Sequence, residues 1–263
     1  MNVMMTTASR NQQEIEPGAK KLSLEWGIPF VSRHKTSVLG LMEQYQMEDI
    51  FVLDHQLNIK WYKKGHEPIK YHPGMSIIRI KRLKIGKHDP MIDFLNIGPT
   101  SNLLDCTLGM ASDAIVSQFV ATSGKVVGLE SEKLLALFTK RGLQTYQSED
   151  DDIKQAMRKI EVICSNYEDY LKDSPNDSFD VVYFDPMFRR TVDSSSSIQH
   201  MKSRCCNSPL SIESVEHAKR VARKKVILKE TSRSREFSRL GFTEIYRSNA
   251  SFSYGVIDVE VGC

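Results

Sequence analysis

The sequence predicts an α/β protein: a mostly parallel seven-stranded sheet that closes in a C-terminal antiparallel hairpin, preceded by a small N-terminal α/β unit. Three observations carry this reading. From Asn102 onward, apolar strand-type runs alternate with helix-type stretches, which implies parallel βαβ units with right-handed crossovers. The last two strand runs, 242–247 and 252–259, are joined only by Ser248-Asn249-Ala250-Ser251, a link that permits a hairpin and forbids a helical crossover. Finally, 263 residues with 40% hydrophobic and 26% charged content suffice for one full core plus a smaller unit, placed here at 71–263 and 1–70.

The N-terminal unit reads as a helix over 12–26, a short strand over 28–31, a helix from an N-cap at Thr36 through Tyr45, and two strands at 50–53 and 57–62. A basic segment follows, with Arg79 to Lys87 either touching RNA or edging a sheet. The larger unit then runs strand 103–105, helix 112–122, strand 125–130, helix 131–143, strand 160–165, helix 167–172, strand 179–185, helix 212–221, strand 225–229 and helix 235–240. The polar stretch 189–209 has the length of a lid.

Bulk numbers bound the setting. A net charge of +3 says little about partners, but 217–239 holds nine cations against Glu230 and Glu236. Such a run fits a phosphate backbone, with Lys229 and Arg233 as contacts, or a solvated helix face. Five cysteines without a C-x-x-C pair suit a reducing, cytoplasmic compartment and no metal site. No apolar run spans a bilayer, and no signal peptide opens the chain.

Four strand ends carry candidate chemistry. The first runs Leu104-Asp105-Cys106-Thr107-Leu108-Gly109-Met110-Ala111-Ser112-Asp113. Gly109 permits close approach of a ligand. Thr107, Gly109 and Ser112 stand where a dinucleotide fingerprint would have glycines. Carboxylates at Asp105 and Asp113 instead suit a cationic or zwitterionic ligand, although a plain βα turn would also account for the segment. The second end is Glu130, placed so that its carboxylate can accept a nucleoside's ribose hydroxyls, or simply favour a helix N-terminus; Ser131 follows it. The third is Ser165-Asn166-Tyr167, which can bond an adenine edge and lie on its face, or serve only the turn.

The fourth end is Asp185-Pro186-Met187-Phe188. Asp185 falls at a strand's carboxyl tip, where open α/β sheets bind their ligands. Pro186 stiffens the turn and leaves its carbonyl as an acceptor. Phe188 adds a flat apolar face. The corner suits a planar group bearing an NH2, such as a nucleobase; it also suits a carboxylate that caps the next turn.

A parallel sheet ending in an antiparallel hairpin is the architecture of Rossmann-like methyltransferases. The run from Asp105 to Asp113, then Glu130, Asp185-Pro-Met-Phe188 and Val226-Ile-Leu-Lys229 resembles the J-type small-subunit ribosomal RNA methyltransferase family. The resemblance covers roughly 71–229. It implies guanine-N2 methylation of ribosomal RNA with S-adenosylmethionine (SAM). It implies cofactor contacts at Ser112, Asp113, Glu130, Ser131, Asn166 and Tyr167, with Asp185 at the junction of cofactor and substrate. Leu108, Ala111 and Arg189 depart from that family's pattern, and 1–62 resembles it weakly.

Overall fold

The computed structural model describes residues 2–186, 209–247 and 251–259. Phe188 and all but the last residue of the lid expected over 189–209 lie outside the described residues. The chain divides into two compact units, one of Met1–His72 with Gln144–Tyr146, the other taking Pro73–Leu143 and the described residues from Gln147 onward.

The smaller unit is a sheet in the order β1-β2-β3-β4. It comprises β1 (Val3–Thr7), α1 (Gln12–Trp26), α2 (Val38–Tyr45), β2 (Asp49–Leu53), β3 (Ile59–Lys63) and β4 (Ile69–Lys70). β1 and β2 are parallel, and the remaining pairs are antiparallel. Its core includes an edge-on contact of Trp26 with Phe51 at 5.0 Å and Phe51 against Trp61 at 5.1 Å. The Trp61 indole N–H donates to the buried Asp49 carboxylate at 2.8 Å, which satisfies both polar groups inside the core. Two expectations fail here. Residues 28–31 form no strand, because Pro29 interrupts the run and only Phe30 bridges to Met5. Ser37, not Thr36, caps α2, its hydroxyl accepting from the Gly40 N–H.

The larger unit begins with α3 (Ser76–Lys84) and α4 (Pro90–Leu95). The cationic segment Arg79 to Lys87 was expected either to touch RNA or to edge a sheet, and most of it lies in α3. Ser76–Lys84 is a helix, because its inward positions Ser76, Arg79, Ile80 and Leu83 recur at helical spacing. Then follow β5 (Leu103–Asp105), α5 (Ser112–Val120), β6 (Val126–Glu130), α6 (Lys133–Thr145), α7 (Asp151–Lys159), β7 (Glu161–Cys164), α8 (Tyr167–Asp173), β8 (Phe179–Phe184), α9 (Ile212–Val221), β9 (Ala222–Thr231), α10 (Glu236–Arg239), β10 (Glu244–Arg247) and β11 (Phe252–Asp258).

The seven strands lie in the order β10-β11-β9-β8-β5-β6-β7. β7, β6, β5, β8 and β9 are parallel, and β11 runs antiparallel between β9 and β10. The order reverses between β5 and β8, so a crevice opens at their carboxyl ends.

Alternation along each strand sorts side chains to two faces. Leu104, Val182, Phe184, Val226 and Leu228 join one buried cluster with Val215, Ala218 and Val221 of α9 and Phe237 of α10. The intervening Asp105, Tyr183, Asp185 and Lys229 therefore stand on the other face, the one that α5 covers. Four polar positions on one face at adjacent strand ends are the site's foundation.

Candidate active site

The turn after β5 is pinned by its neighbours. The Cys106 N–H donates to the Tyr183 carbonyl and the Leu108 N–H to the Leu129 carbonyl, both at 2.9 Å. Thr107 Oγ1 accepts the Asp185 N–H at 2.6 Å, which ties the tip of β8 to the turn. Gly109 adopts a left-handed φ of 53°, and a Cβ there would meet nothing within 4 Å. The space above the turn is open to a ligand.

The departures at Leu108 and Ala111 have physical accounts. A Cβ on Gly128 of β6 would stand 2.3 Å from the Leu108 side chain. The missing side chain at Gly128 therefore makes room for Leu108. Ala111 is fully buried and holds a left-handed φ of 65°, a conformation that costs an L-residue about 1–2 kcal/mol. It is the residue from which α5 springs, and no side chain caps that helix end.

Asp113, in the first turn of α5, is the hub of the site. Its Oδ1 receives the Arg79 guanidinium. Its Oδ2 accepts the Tyr183 hydroxyl at 2.8 Å and the Lys229 ammonium at 2.9 Å. The same ammonium reaches Asp185 Oδ2 at 2.7 Å, and the Phe252 ring lies 5.0 Å from it. At the far end, Arg79 forks onto both oxygens of Asp89 at 2.7 and 2.8 Å. Five alternating charges thus run Asp89, Arg79, Asp113, Lys229, Asp185.

Titration follows from this arrangement. Burial opposes the charge on Asp113, yet Lys229 and Arg79 hold its carboxyl well below the ordinary range. Burial pushes Asp185 up to about 6, with Lys229 restraining the rise and Asp113 adding to it. Burial carries Asp105 up to about 8, against the Thr107 N–H bond and with help from Asp113 and Asp185. Asp105 is therefore protonated at neutral pH. The line itself holds three carboxylates against two cations, so its residual charge is negative. Desolvation disfavours charge on Lys229 and Arg79, but their carboxylates overcome it and keep both protonated.

The neighbouring strand ends complete the crevice. Glu130 accepts from the Gly109 N–H at 3.2 Å and the Glu132 N–H at 2.9 Å, so its carboxylate is fixed beside the open turn. Burial raises its pKa. The Ser165 N–H donates to the Glu130 carbonyl at 3.1 Å, joining the ends of β6 and β7. Asn166 Oδ1 caps α8 through the Glu168 N–H, which leaves its NH2 for a ligand. Tyr167 stands edge-on to Phe184 at 5.5 Å. Ser112 is half-buried at the start of α5, Ser131 is exposed beyond Glu130, and Pro186 follows Asp185 half-buried.

These residues fit SAM on two grounds. The cradle over Gly109, with the fixed Glu130 carboxylate beside it, suits a ribose and its adenine. The residual negative charge of Asp113 and Asp185 suits a sulfonium and an ammonium. Among the described residues, no group of acids, histidines and cysteines is placed to hold a metal ion.

The cations are placed otherwise than the sequence suggested. Lys229 does not face a phosphate: its ammonium is enclosed, its side chain 15% exposed between two acids. Arg79 likewise points inward, its guanidinium taken by Asp89 and Asp113. Most of the 217–239 run is neutralised in the same way. Lys219 pairs with Glu216, Arg223 and Lys224 with Asp180, Lys225 with Asp258 and Arg239 with Glu236, while Arg220 caps carbonyls at the end of α8. Arg233 and Arg235 remain exposed and, among the described residues, unpaired. Tyr183 and Asp89 escaped sequence reasoning. The usable signals were a polar residue inside an otherwise apolar strand for Tyr183 and, for Asp89, an acid directly before a proline, the pattern of a helix N-cap.

Comparison with known proteins agrees with this geometry. The family model described as "Putative SAM-dependent methyltransferase" matches residues 38–240. The uncharacterized protein YpiP of Bacillus subtilis (strain 168) is 34% identical over 255 residues, 97% of this chain and 98% of that protein. The crystal structure of the SAM-dependent methyltransferase NGO1261 from Neisseria gonorrhoeae shares the fold at a TM-score of 0.67 and 12% identity, covering 98% of this chain and 97% of that one. No helix among the described residues is long and apolar enough to cross a membrane. With a matched region that spans both the open turn over Gly109 and the acid at the tip of β8, the chain belongs to the SAM-dependent methyltransferase family.

Proposed function

We propose that this methyltransferase acts on an exocyclic amine of a nucleobase, guanine N2, in ribosomal RNA. The observation that carries the reading is the Asp185-Pro186 corner, whose acid is held by Lys229 and whose N–H is tied to Thr107. When bound, SAM supplies an electrophilic methyl group that leaves its sulfur without the bonding electron pair.

The remaining work falls to the chain. Asp185 accepts a hydrogen bond from the amine, and the Pro186 carbonyl accepts a second. An aryl amine is a poor nucleophile because its lone pair conjugates with the ring. Two fixed acceptors turn the nitrogen out of conjugation and aim it, which is catalysis by positioning. Once methylated, the nitrogen releases one proton, and Asp185, at about 6, can take it near neutral pH. The base must leave any helix to reach the crevice.

The test is labelled methyl transfer to naked rRNA and to ribosomal subunits, with nucleoside analysis of the product. Asp185→Asn is expected to lower transfer by about 10²–10⁴-fold while calorimetry finds SAM binding preserved. The wild-type rate should climb with pH and level off above about 6 as Asp185 ionises. An undiminished rate in Asp185→Asn would remove this residue from the mechanism.

One observation favours a second reading, an acceptor that is a protein or small molecule: so much of the basic 217–239 run is neutralised internally that little is left for a polyanion. Transfer to protein or metabolite fractions with none to RNA would decide for it.

A further inference from the structure

We propose that Lys229, braced by Asp113, is a positioning residue that fixes the Asp185 carboxylate in the orientation that receives the substrate amine. The inference rests on the reading of Asp185 given above. It reassigns a lysine whose place at the end of an apolar strand suggested a phosphate contact.

The geometry argues as follows. A lysine ammonium has three donors. In Lys229 one goes to Asp113 Oδ2 at 2.9 Å and one to Asp185 Oδ2 at 2.7 Å, with the Phe252 ring 5.0 Å away. Two of the three donors are therefore taken by carboxylates, and the Phe252 ring flanks the ammonium. Asp113 is in turn immobilised by Arg79 and by the Tyr183 hydroxyl, and Arg79 by Asp89. Lys229 is thus held by a rigid partner and passes that rigidity to Asp185. Taking Oδ2 leaves Oδ1 as the oxygen for the substrate. From the other direction, the Asp185 N–H is tied to Thr107. Both ends of the residue are fixed by groups that never touch the substrate.

The charges point the same way. Among the described residues, the groups facing Asp185 are Asp105 from β5, Asp113 from α5, Tyr183 of its own strand and Lys229 from β9, with Tyr254 of β11 beyond. Of these only Lys229 is a cation. Without it, Asp113 and Asp185 would be neighbouring buried carboxylates, and such pairs retain a proton. A protonated Asp185 can neither orient the amine by two acceptors nor take up its proton.

The experiment compares wild type, Lys229→Met, Lys229→Arg and the double variant Lys229→Met/Asp113→Asn. Asp185 is followed directly by carbon-13 NMR of its carboxylate through a pH titration, its signal assigned by its loss in Asp185→Asn. Methyl transfer to rRNA is measured across the same pH range. In Lys229→Met the Asp185 midpoint should rise by a unit or more, and the acidic limb of the transfer profile should move with it. Transfer at pH 6.5 should then fall by about threefold or more, mostly in kcat, and recover partly at higher pH. Lys229→Arg should restore most of both readouts.

The double variant guards against misfolding, because it removes an acid together with the cation and leaves no extra buried charge. If Lys229 merely balances charge, the double variant recovers transfer. If it positions Asp185, the double variant folds, binds SAM by calorimetry and stays slow at saturating SAM. An Asp185 midpoint that does not move in Lys229→Met, or full activity in the double variant, overturns the inference. A wild type that methylates no RNA overturns the acceptor reading instead, and the NMR titration still decides whether Lys229 governs Asp185.

Discussion

Asp105 lies at the centre of the site, and its burial makes the stability of the fold depend on pH. Its side chain accepts one N–H, from Thr107, and is otherwise enclosed near Asp113 and Asp185. The folded chain keeps a proton on it up to about pH 8, whereas the unfolded chain loses that proton near 3.8. A raised acid makes stability fall as pH rises between those two values, by about 1.4 kcal/mol per pH unit. Asp105→Asn stays neutral in both states and removes the slope. Its stability relative to wild type should therefore grow by about 3 kcal/mol between pH 5 and pH 7, measured by denaturant unfolding at each pH. Equal differences at both would show that Asp105 ionises freely in the fold. Asp180, at the opposite end of β8, acts with the other sign. It is buried, but Arg223, the Asn102 N–H and Lys224 lower it to about 2, so its contribution is present above the ordinary carboxylate range and fades as pH falls toward 2.

At the scale of elements, the turn after β5 and the strand β6 fit as a pair. Leu108 is buried in space that the missing side chain of Gly128 leaves. Gly128→Ala should destabilise by about 1–3 kcal/mol through overpacking. Adding Leu108→Ala should return part of that loss, with a coupling of about 0.5–3 kcal/mol in a double-mutant cycle. Strictly additive effects would mean that the two side chains do not share the space. Elements also mark where sequence reasoning stopped. α1, α8 and α9 were legible because apolar spacing and flanking caps agree there. α3 went unread as a helix because Ile77, Ile78 and Ile80 favour a strand locally while packing imposes a helix. α7 went unseen because its N-terminal acids, with Asp150 as cap, hide a stripe of only Ile153, Ala156 and Met157. β1 is five residues of ordinary composition whose strand state depends on pairing with β2, more than 40 residues away.

For the whole molecule, the mostly parallel sheet and its antiparallel close were readable from alternation and the short final link, while the strand order that parts β5 from β8 comes from the structure. Acids at strand tips were legible for the same reason, since topology alone gathers them. What they are paired with was not. Lys229 meets Asp185 because β8 and β9 pair with Phe184 opposite Leu228, a register that depends on a crossover through α9 and is not written in either strand. The buried line from Asp89 to Asp185 has a consequence at this scale. Ions in solution screen charges that water can reach, over a Debye length of about 8 Å at physiological ionic strength, and act far less on buried pairs. Added salt should therefore leave the five linked charges intact while weakening any contact made by exposed Arg233 and Arg235. With an RNA acceptor, titrating potassium chloride should raise KM and hold kcat flat, so that ionic strength separates docking from chemistry in a single enzyme.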